Sequence, residues 1–217
     1  MNDQGIGRFF SNHKEKICCN GNLFIISAPS GAGKTTICRA VLDRIPNMLY
    51  SVSYTTRKPR NGEQNGIDYY FITENDFKNR IKNGKWAEWA EVYGNYYGTS
   101  SEFIDTSLAS GRDILLDIDF QGTLQILDQY HDSITIFIMP PSINILKLRL
   151  ESRGTDSKHI ISRRINAAEK DMKNKDFYRH VIINDKLSVA VADLISVIEK
   201  YTTDRNTDKL NSSSKGR

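Results

Sequence analysis

Residues 23–36, "LFIISAPSGAGKTT", decide the fold. Leu23–Ser27 reads as a buried strand. Ala28, Pro29, Ser30, Gly31, Ala32 and Gly33 form a glycine-bearing turn, and Lys34, Thr35 and Thr36 open a helix. The spacing follows the phosphate-binding loop G-x-x-x-x-G-K-[ST], with Ala28 where glycine is usual. Gly31 and Gly33 allow backbone N–H groups to curl around phosphate oxygens, and the helix N-terminus adds partial positive charge. In such a loop Lys34 reaches the terminal phosphates of a nucleoside triphosphate and the Thr35 hydroxyl holds Mg²⁺. A chance glycine-rich β–α turn is the competing reading. The Ala28 methyl is harmful only if its position needs a positive φ or has no room for a Cβ.

Working outward, Ile37, Val41 and Ile45 recur at helical spacing until Pro46 ends the pattern. Further buried strands are expected at residues 49–53, 113–118 (DILLDI), 134–139 (ITIFIM) and 181–184 (VIIN). Helices are expected from Ser142 as N-cap, over residues 158–173, and over residues 186–200. Strands separated by helices imply a parallel sheet covered on both faces. Residues 57–99 break that rhythm, being turn-rich and aromatic. They carry a strand at residues 69–72 and a short helix over residues 73–83, with Thr73 and Asp76 as a variant capping box and Gly84 as its stop. They read as a second, smaller lobe.

The chain has 217 residues, 39% hydrophobic and 26% charged, an ordinary soluble balance with room for a real core. No apolar run approaches the length of a membrane span, and the first residues lack a signal-peptide core, so a cytoplasmic protein without a membrane partner is expected. Its three cysteines, Cys18, Cys19 and Cys38, suit neither a zinc site nor a disulfide framework. The net charge of +4 is spread among acids, and no aromatic-basic pattern points to nucleic acid. Residues 1–21 read as a poorly ordered extension, and residues 201–217 as a polar, flexible tail.

A second anion site is suggested by residues 51–60, "SVSYTTRKPR", whose arginines, lysine and hydroxyls gather at a strand end; a solvated basic turn explains that segment equally well. "SAPSGAGKT", "SVSYTTRKPRNGEQNGIDY", "EWAEVYGNYYGTS" and "LLDIDFQG", followed by "PPS", "RLESRG" and "VIIND", together resemble guanylate kinase. The resemblance covers residues 22–200. It implies a P-loop NTPase-type α/β fold: a parallel sheet flanked by helices (residues 22–53 and 100–200), an inserted mixed α/β GMP-binding lobe (about 54–99), and a helical lid (about 149–170). It also implies Mg²⁺-dependent transfer of the ATP terminal phosphate to GMP.

Carried across by resemblance, Ser53, Arg57, Arg60, Tyr69 and Tyr97 hold the GMP phosphate, while Glu88, Thr99 and Asp119 meet the base. The chemistry agrees. One carboxylate accepts both the ring N–H and the exocyclic amine of guanine, whereas adenine turns an acceptor toward it. Taken alone, Glu88 in "WAEWAE" reads as the wet face of a helix, and Tyr96 and Tyr97 as packing aromatics. Alternation puts Asp117 and Asp119 on one side of their strand; Asp119 resembles the base- and metal-proximal acid, and a helix N-cap is the other reading. Arg149 and Arg153, four apart, share a helix face. With Arg164 they supply, by resemblance, positive charge around the moving phosphoryl when the lid closes. Asn184 falls near the adenine end of the ATP site, where a turn after the strand is the alternative. Two rival readings are a related kinase with another small phosphorylated acceptor and a catalytically silent, partner-binding guanylate-kinase-like module.

Overall fold

The computed structural model describes residues 21–214 except 153, 155 and 156. The expected N-terminal extension, with Cys18 and Cys19, therefore lies outside the described residues but for Gly21, and so does Arg153.

A five-stranded parallel sheet is built from β1 (Leu23–Ser27), β2 (Leu49–Tyr50), β7 (Ile114–Asp117), β8 (Ile134–Met139) and β9 (His180–Ile183). Its order is β2-β7-β1-β8-β9, so β1, which delivers the glycine-rich loop, sits in the centre. Side-chain alternation divides the core in two. Phe24, Ile26, Leu115 and Ile136 pack against α1 (Lys34–Leu42) and α7 (Leu187–Ser214) through Ile37, Val41, Val191 and Leu194. Leu23, Ile25, Ile114 and Leu116 face α3 (Ser101–Ala109) and α4 (Phe120–Gln129) through Ile104, Leu108 and Ile126. Burial on both faces explains the near-continuous apolar strands.

The strand expected at residues 49–53 is shortened to β2, with residues 51–53 joining it to a second sheet. β2 ends at Tyr50, although Ser51 still donates to the Leu115 carbonyl at 3.0 Å. After Ser53 the chain enters a four-stranded sheet through β3 (Tyr54–Thr55). With β4 (Tyr70–Phe71), β5 (Trp86–Val92) and β6 (Asn95–Ser100), it forms the order β4-β3-β6-β5. α2 (Glu74–Lys82) packs Phe77 against Trp86 at 4.3 Å between ring centroids. Its N-cap is Thr73, which accepts from the Asp76 N–H at 3.1 Å. The reciprocal bond runs from the Thr73 hydroxyl to the Asp76 carboxylate at 2.6 Å, not to the backbone.

α5 (Ile143–Ser152) starts at Ser142, whose hydroxyl accepts from the Ile145 N–H at 3.2 Å. α6 (Lys158–Met172) packs against it through Leu146, Leu150, Ile161 and Ala168. α7 runs on to Ser214, into the segment expected as a flexible tail. Asp113 anchors it, accepting from the Thr202 hydroxyl at 2.7 Å, pairing with Arg205, and accepting from the Asn22 N–H at 2.7 Å.

Candidate active site

The glycine-rich loop bends because Gly31 and Gly33 adopt φ of +90° and +94°. A Cβ on Gly33 would stand 2.4 Å from the Asn184 amide nitrogen, so glycine is required there for space as well as for conformation. Asn184, buried just after β9, donates to the Ala32 carbonyl at 2.7 Å and ties the loop to the end of a strand two places along the sheet. Ala28 is not among the residues with positive φ, and its methyl packs on the core beneath the sheet. Glycine is therefore dispensable at that position. Pro29 accepts from the Ala32 N–H at 3.1 Å, and Ser30, Thr35 and Thr36 are exposed around the helix entry.

Lys34 forms an ion pair with Asp117 at the end of β7, and its ammonium also lies 3.4 Å from the Ile118 carbonyl. β7 stops at Asp117, so Asp119 belongs to the next element. It is the N-cap of α4, its carboxylate accepting from the Gly122 N–H at 2.8 Å. Lys34, Asp117 and Asp119 nevertheless border one cavity of about 360 Å³, together with Ser53, Tyr69, Glu88 and Tyr97.

Glu88 lies on a strand, not on the helix that its spacing allowed. The pairing of β5 with β6 shifts between Trp86 and Glu88, where a bulge inserts Ala87, and the shift sets Glu88 directly opposite Thr99. Three consecutive buried residues then serve three places. Trp86 packs in the lobe, Ala87 joins the core under the parallel sheet, and Glu88 borders the cleft. The Thr99 hydroxyl donates to the Glu88 carboxylate at 2.6 Å, with both residues buried. Burial pushes the Glu88 carboxyl up to about 7; the Thr99 hydrogen bond opposes this and the nearby Asp119 charge adds to it.

The basic segment is structured rather than solvated. Glu63 grips Arg57 with two bonds of 2.9 Å and accepts from the Arg60 N–H at 2.7 Å. The Arg57 guanidinium lies 5.3 Å from the Tyr69 ring centre, and Tyr69 meets Tyr97 edge-on at 6.0 Å. Desolvation raises the Tyr69 phenol. Arg60 itself is exposed.

Arg149 on α5 donates to the Asn184 carbonyl at 2.8 Å and the Asp185 carbonyl at 3.3 Å. Arg164 lies on α6. Two side chains escaped the sequence reading. Tyr178, buried and raised by desolvation, lies 3.5 Å from the Thr123 hydroxyl. Gln125 bonds the backbone of β5. An aromatic after a 3-10 turn and a glutamine inside a helix carry no local signal of either contact. Among the described residues no cluster of three His, Cys, Asp or Glu side chains is arranged to hold a metal.

The guanylate kinase family profile matches residues 20–201. The chain is 49% identical over 178 residues to the guanylate kinase of Geobacter metallireducens, covering 82% of this chain and 88% of that one. It is 48% identical to the guanylate kinase of Dechloromonas aromatica, covering 82% and 88%. The crystal structure of guanylate kinase from Anaplasma phagocytophilum superimposes with a TM-score of 0.69 at 30% identity, covering 84% of this chain and 86% of that one.

Proposed function

The chain belongs to the guanylate kinase family, and we propose a division of labour in its cleft that brings ATP on residues 28–36 against GMP on the lobe. The enzyme is an ATP:GMP phosphotransferase, yielding ADP and GDP. The turn from Ala28 to Gly33 wraps the donor phosphates and offers its free backbone N–H groups, Pro29 having none and the Ala32 N–H being given to the Pro29 carbonyl; Asn184 holds the turn in shape. Lys34 leaves Asp117 for the terminal phosphates when ATP binds; until then the ion pair keeps the ammonium aimed at the cleft.

Ser53, Arg57, Arg60, Tyr69 and Tyr97 hold the acceptor phosphate, Glu63 fixing the Arg57 fork for it. Glu88 accepts the ring N–H and amine of guanine. Its partner Thr99 has one proton, spent on Glu88, so donation to the guanine carbonyl requires that hydroxyl to rotate. Asp119 closes the base side of the pocket. An oxygen of the GMP phosphate attacks the terminal phosphorus, and the bond to the bridging oxygen breaks with its electron pair leaving on ADP. The attacking GMP oxygen is already anionic, so no general base is needed. Arg149, Arg153 and Arg164 neutralise charge on the moving group as the lid closes. To reach it, Arg149 has to give up the Asn184 and Asp185 carbonyls.

The oxygen donors at the cleft suit Mg²⁺, which takes one or two protein groups and completes its shell with water and phosphate. Thr35 and Asp119 would hold it, with Asp117 beside them, and the ion would neutralise charge on the donor phosphates. We take the cytoplasm as its compartment, with no nucleic-acid or membrane partner; no described helix is long and apolar enough to cross a membrane.

The single observation that carries the acceptor is a buried carboxylate, hydrogen-bonded to Thr99, on the same cavity as Lys34. Following ADP release with GMP, AMP, CMP and UMP tests it. GMP is expected to be strongly preferred, and equal rates with AMP and GMP would refute the role of Glu88 and Thr99. No turnover with any acceptor would favour the partner-binding reading.

A further inference from the structure

β5 is the outer strand of the lobe sheet, and its free edge meets α4 of the parallel-sheet core. An exposed edge of unpaired peptide groups needs cover. Here two glutamine side chains provide it. The Gln125 carbonyl oxygen accepts from the Trp89 N–H at 3.1 Å, while its amide nitrogen donates to the Trp89 carbonyl at 3.1 Å. The side-chain amide thus mimics one residue of a pairing strand. One turn later, Gln129 donates to the Ala87 carbonyl at 2.8 Å. These bonds grip the backbone immediately before and after Glu88.

The same helix face also touches the carboxylate. A Cβ on Gly122 would stand 3.1 Å from a Glu88 carboxylate oxygen, so the first turn of α4 limits where that group can go. Residues 122, 125 and 129 stand three and four apart and share one face. α4 itself begins at Asp119, two residues beyond Asp117, the partner of Lys34. One rigid helix therefore spans the distance from the donor lysine's counter-ion to the backbone that carries the base-facing acid.

We propose that Gln125 and Gln129 are positioning residues for guanine recognition, which hold the Glu88 carboxylate in register by fastening the β5 backbone on both sides of it. The proposal rests on the reading of Glu88 as the guanine ligand. Edge covering alone would make the glutamines structural, with their loss felt in stability and not in base selection. Positioning makes the loss fall on GMP affinity and on discrimination against IMP, which lacks the amine that Glu88 accepts. The ATP side, held by the loop and Asn184, is spared.

The test compares wild type, Gln125→Ala, Glu88→Gln and the double variant by calorimetric GMP affinity, KM for ATP, kcat, GMP-over-IMP preference and melting temperature. Gln125→Ala is expected to weaken GMP about tenfold and to narrow the GMP-over-IMP preference, with the ATP KM unchanged. Because Gln125 acts through Glu88, its loss is expected to add little in the Glu88→Gln background. A Gln125→Ala enzyme that melts earlier but keeps wild-type GMP affinity and base preference overturns the proposal and leaves the Glu88 reading standing. So does full additivity in the double variant. A Glu88→Gln enzyme that binds GMP as well as wild type removes both. If Gln125→Ala fails to fold, Gln125→Glu, which keeps the acceptor for the Trp89 N–H and loses the donor, reports the same constants.

Discussion

Acidification is expected to weaken GMP binding through Glu88 in a way that ATP binding does not share. Both guanine N–H groups need an ionised carboxylate, and burial holds the Glu88 carboxyl at about 7 in place of its ordinary 4.5. If only the ionised form binds, the Glu88 contribution falls about tenfold between pH 8 and pH 6. At pH 7 binding would expel about half a proton from this group. The GMP phosphate titrates near pH 6 and must be separated from it. Calorimetric titrations in buffers of different ionisation enthalpy count the protons, and Glu88→Gln retains the phosphate effect while removing that of the carboxyl. Identical pH slopes and proton counts in wild type and Glu88→Gln would refute the reasoning.

The same shift has a signature in stability. Between 4.5 and about 7 the folded protein holds a proton on Glu88 that the unfolded chain has released. This contribution is present at low pH, falls as pH rises through that window, and is flat above it; at most it is on the order of 3 kcal/mol. Melting of the ligand-free enzyme should carry that slope, and Glu88→Gln should lose it.

Lys34→Ala is expected to lower kcat by about a thousandfold while GMP affinity stays within a factor of about two, measured by turnover and calorimetry; equal collapse of GMP binding would contradict separate donor and acceptor sites. Gly33→Ala should cost about 1–3 kcal/mol of stability and most ATP affinity, because both its φ and its Asn184 contact forbid the methyl; denaturant unfolding reads the first. Asp113→Ala should destabilise the fold by roughly 3 kcal/mol, through loss of the Arg205, Thr202 and Asn22 contacts, without changing either KM. Arg57→Lys should raise the KM for GMP several-fold, since an ammonium cannot keep the paired bonds to Glu63.

The sequence reveals local pattern and hides distant pairing. The run at Ile134–Met139 is a strand to the residue, and Ser142 and Thr73 cap the helices they precede, because periodicity and capping act within a few positions. The nucleotide loop is equally legible from Gly31, Gly33 and Lys34. Glu88 was not: "WAEWAE" fits a helix face as well as a strand, and only pairing with β6 decides between them. Nothing near Asp117 in the sequence marks it out from Asp119. Its importance comes from Lys34, 83 positions earlier, while Asp119 is partly committed to capping α4. Asn184 reads as a turn residue until the loop carbonyl it binds, 152 positions away, is in view. The hold on Thr202 and Arg205 is equally hidden, because Asp113, partly buried just before β7, lies about 90 positions away.

The extra residue at Ala87 lets one strand serve two layers. From Glu88 to Val92 the register against β6 runs without interruption, so the hairpin itself keeps Glu88 opposite Thr99, while the inserted position sends Ala87 into the core under the parallel sheet. Deleting Ala87 would therefore leave the carboxylate facing Thr99 and take away the side chain that rivets this edge strand to the core. The damage should fall on how the lobe is seated more than on the pairing beside Glu88, and a grafted lobe would have to carry the extra residue to be seated in the same way.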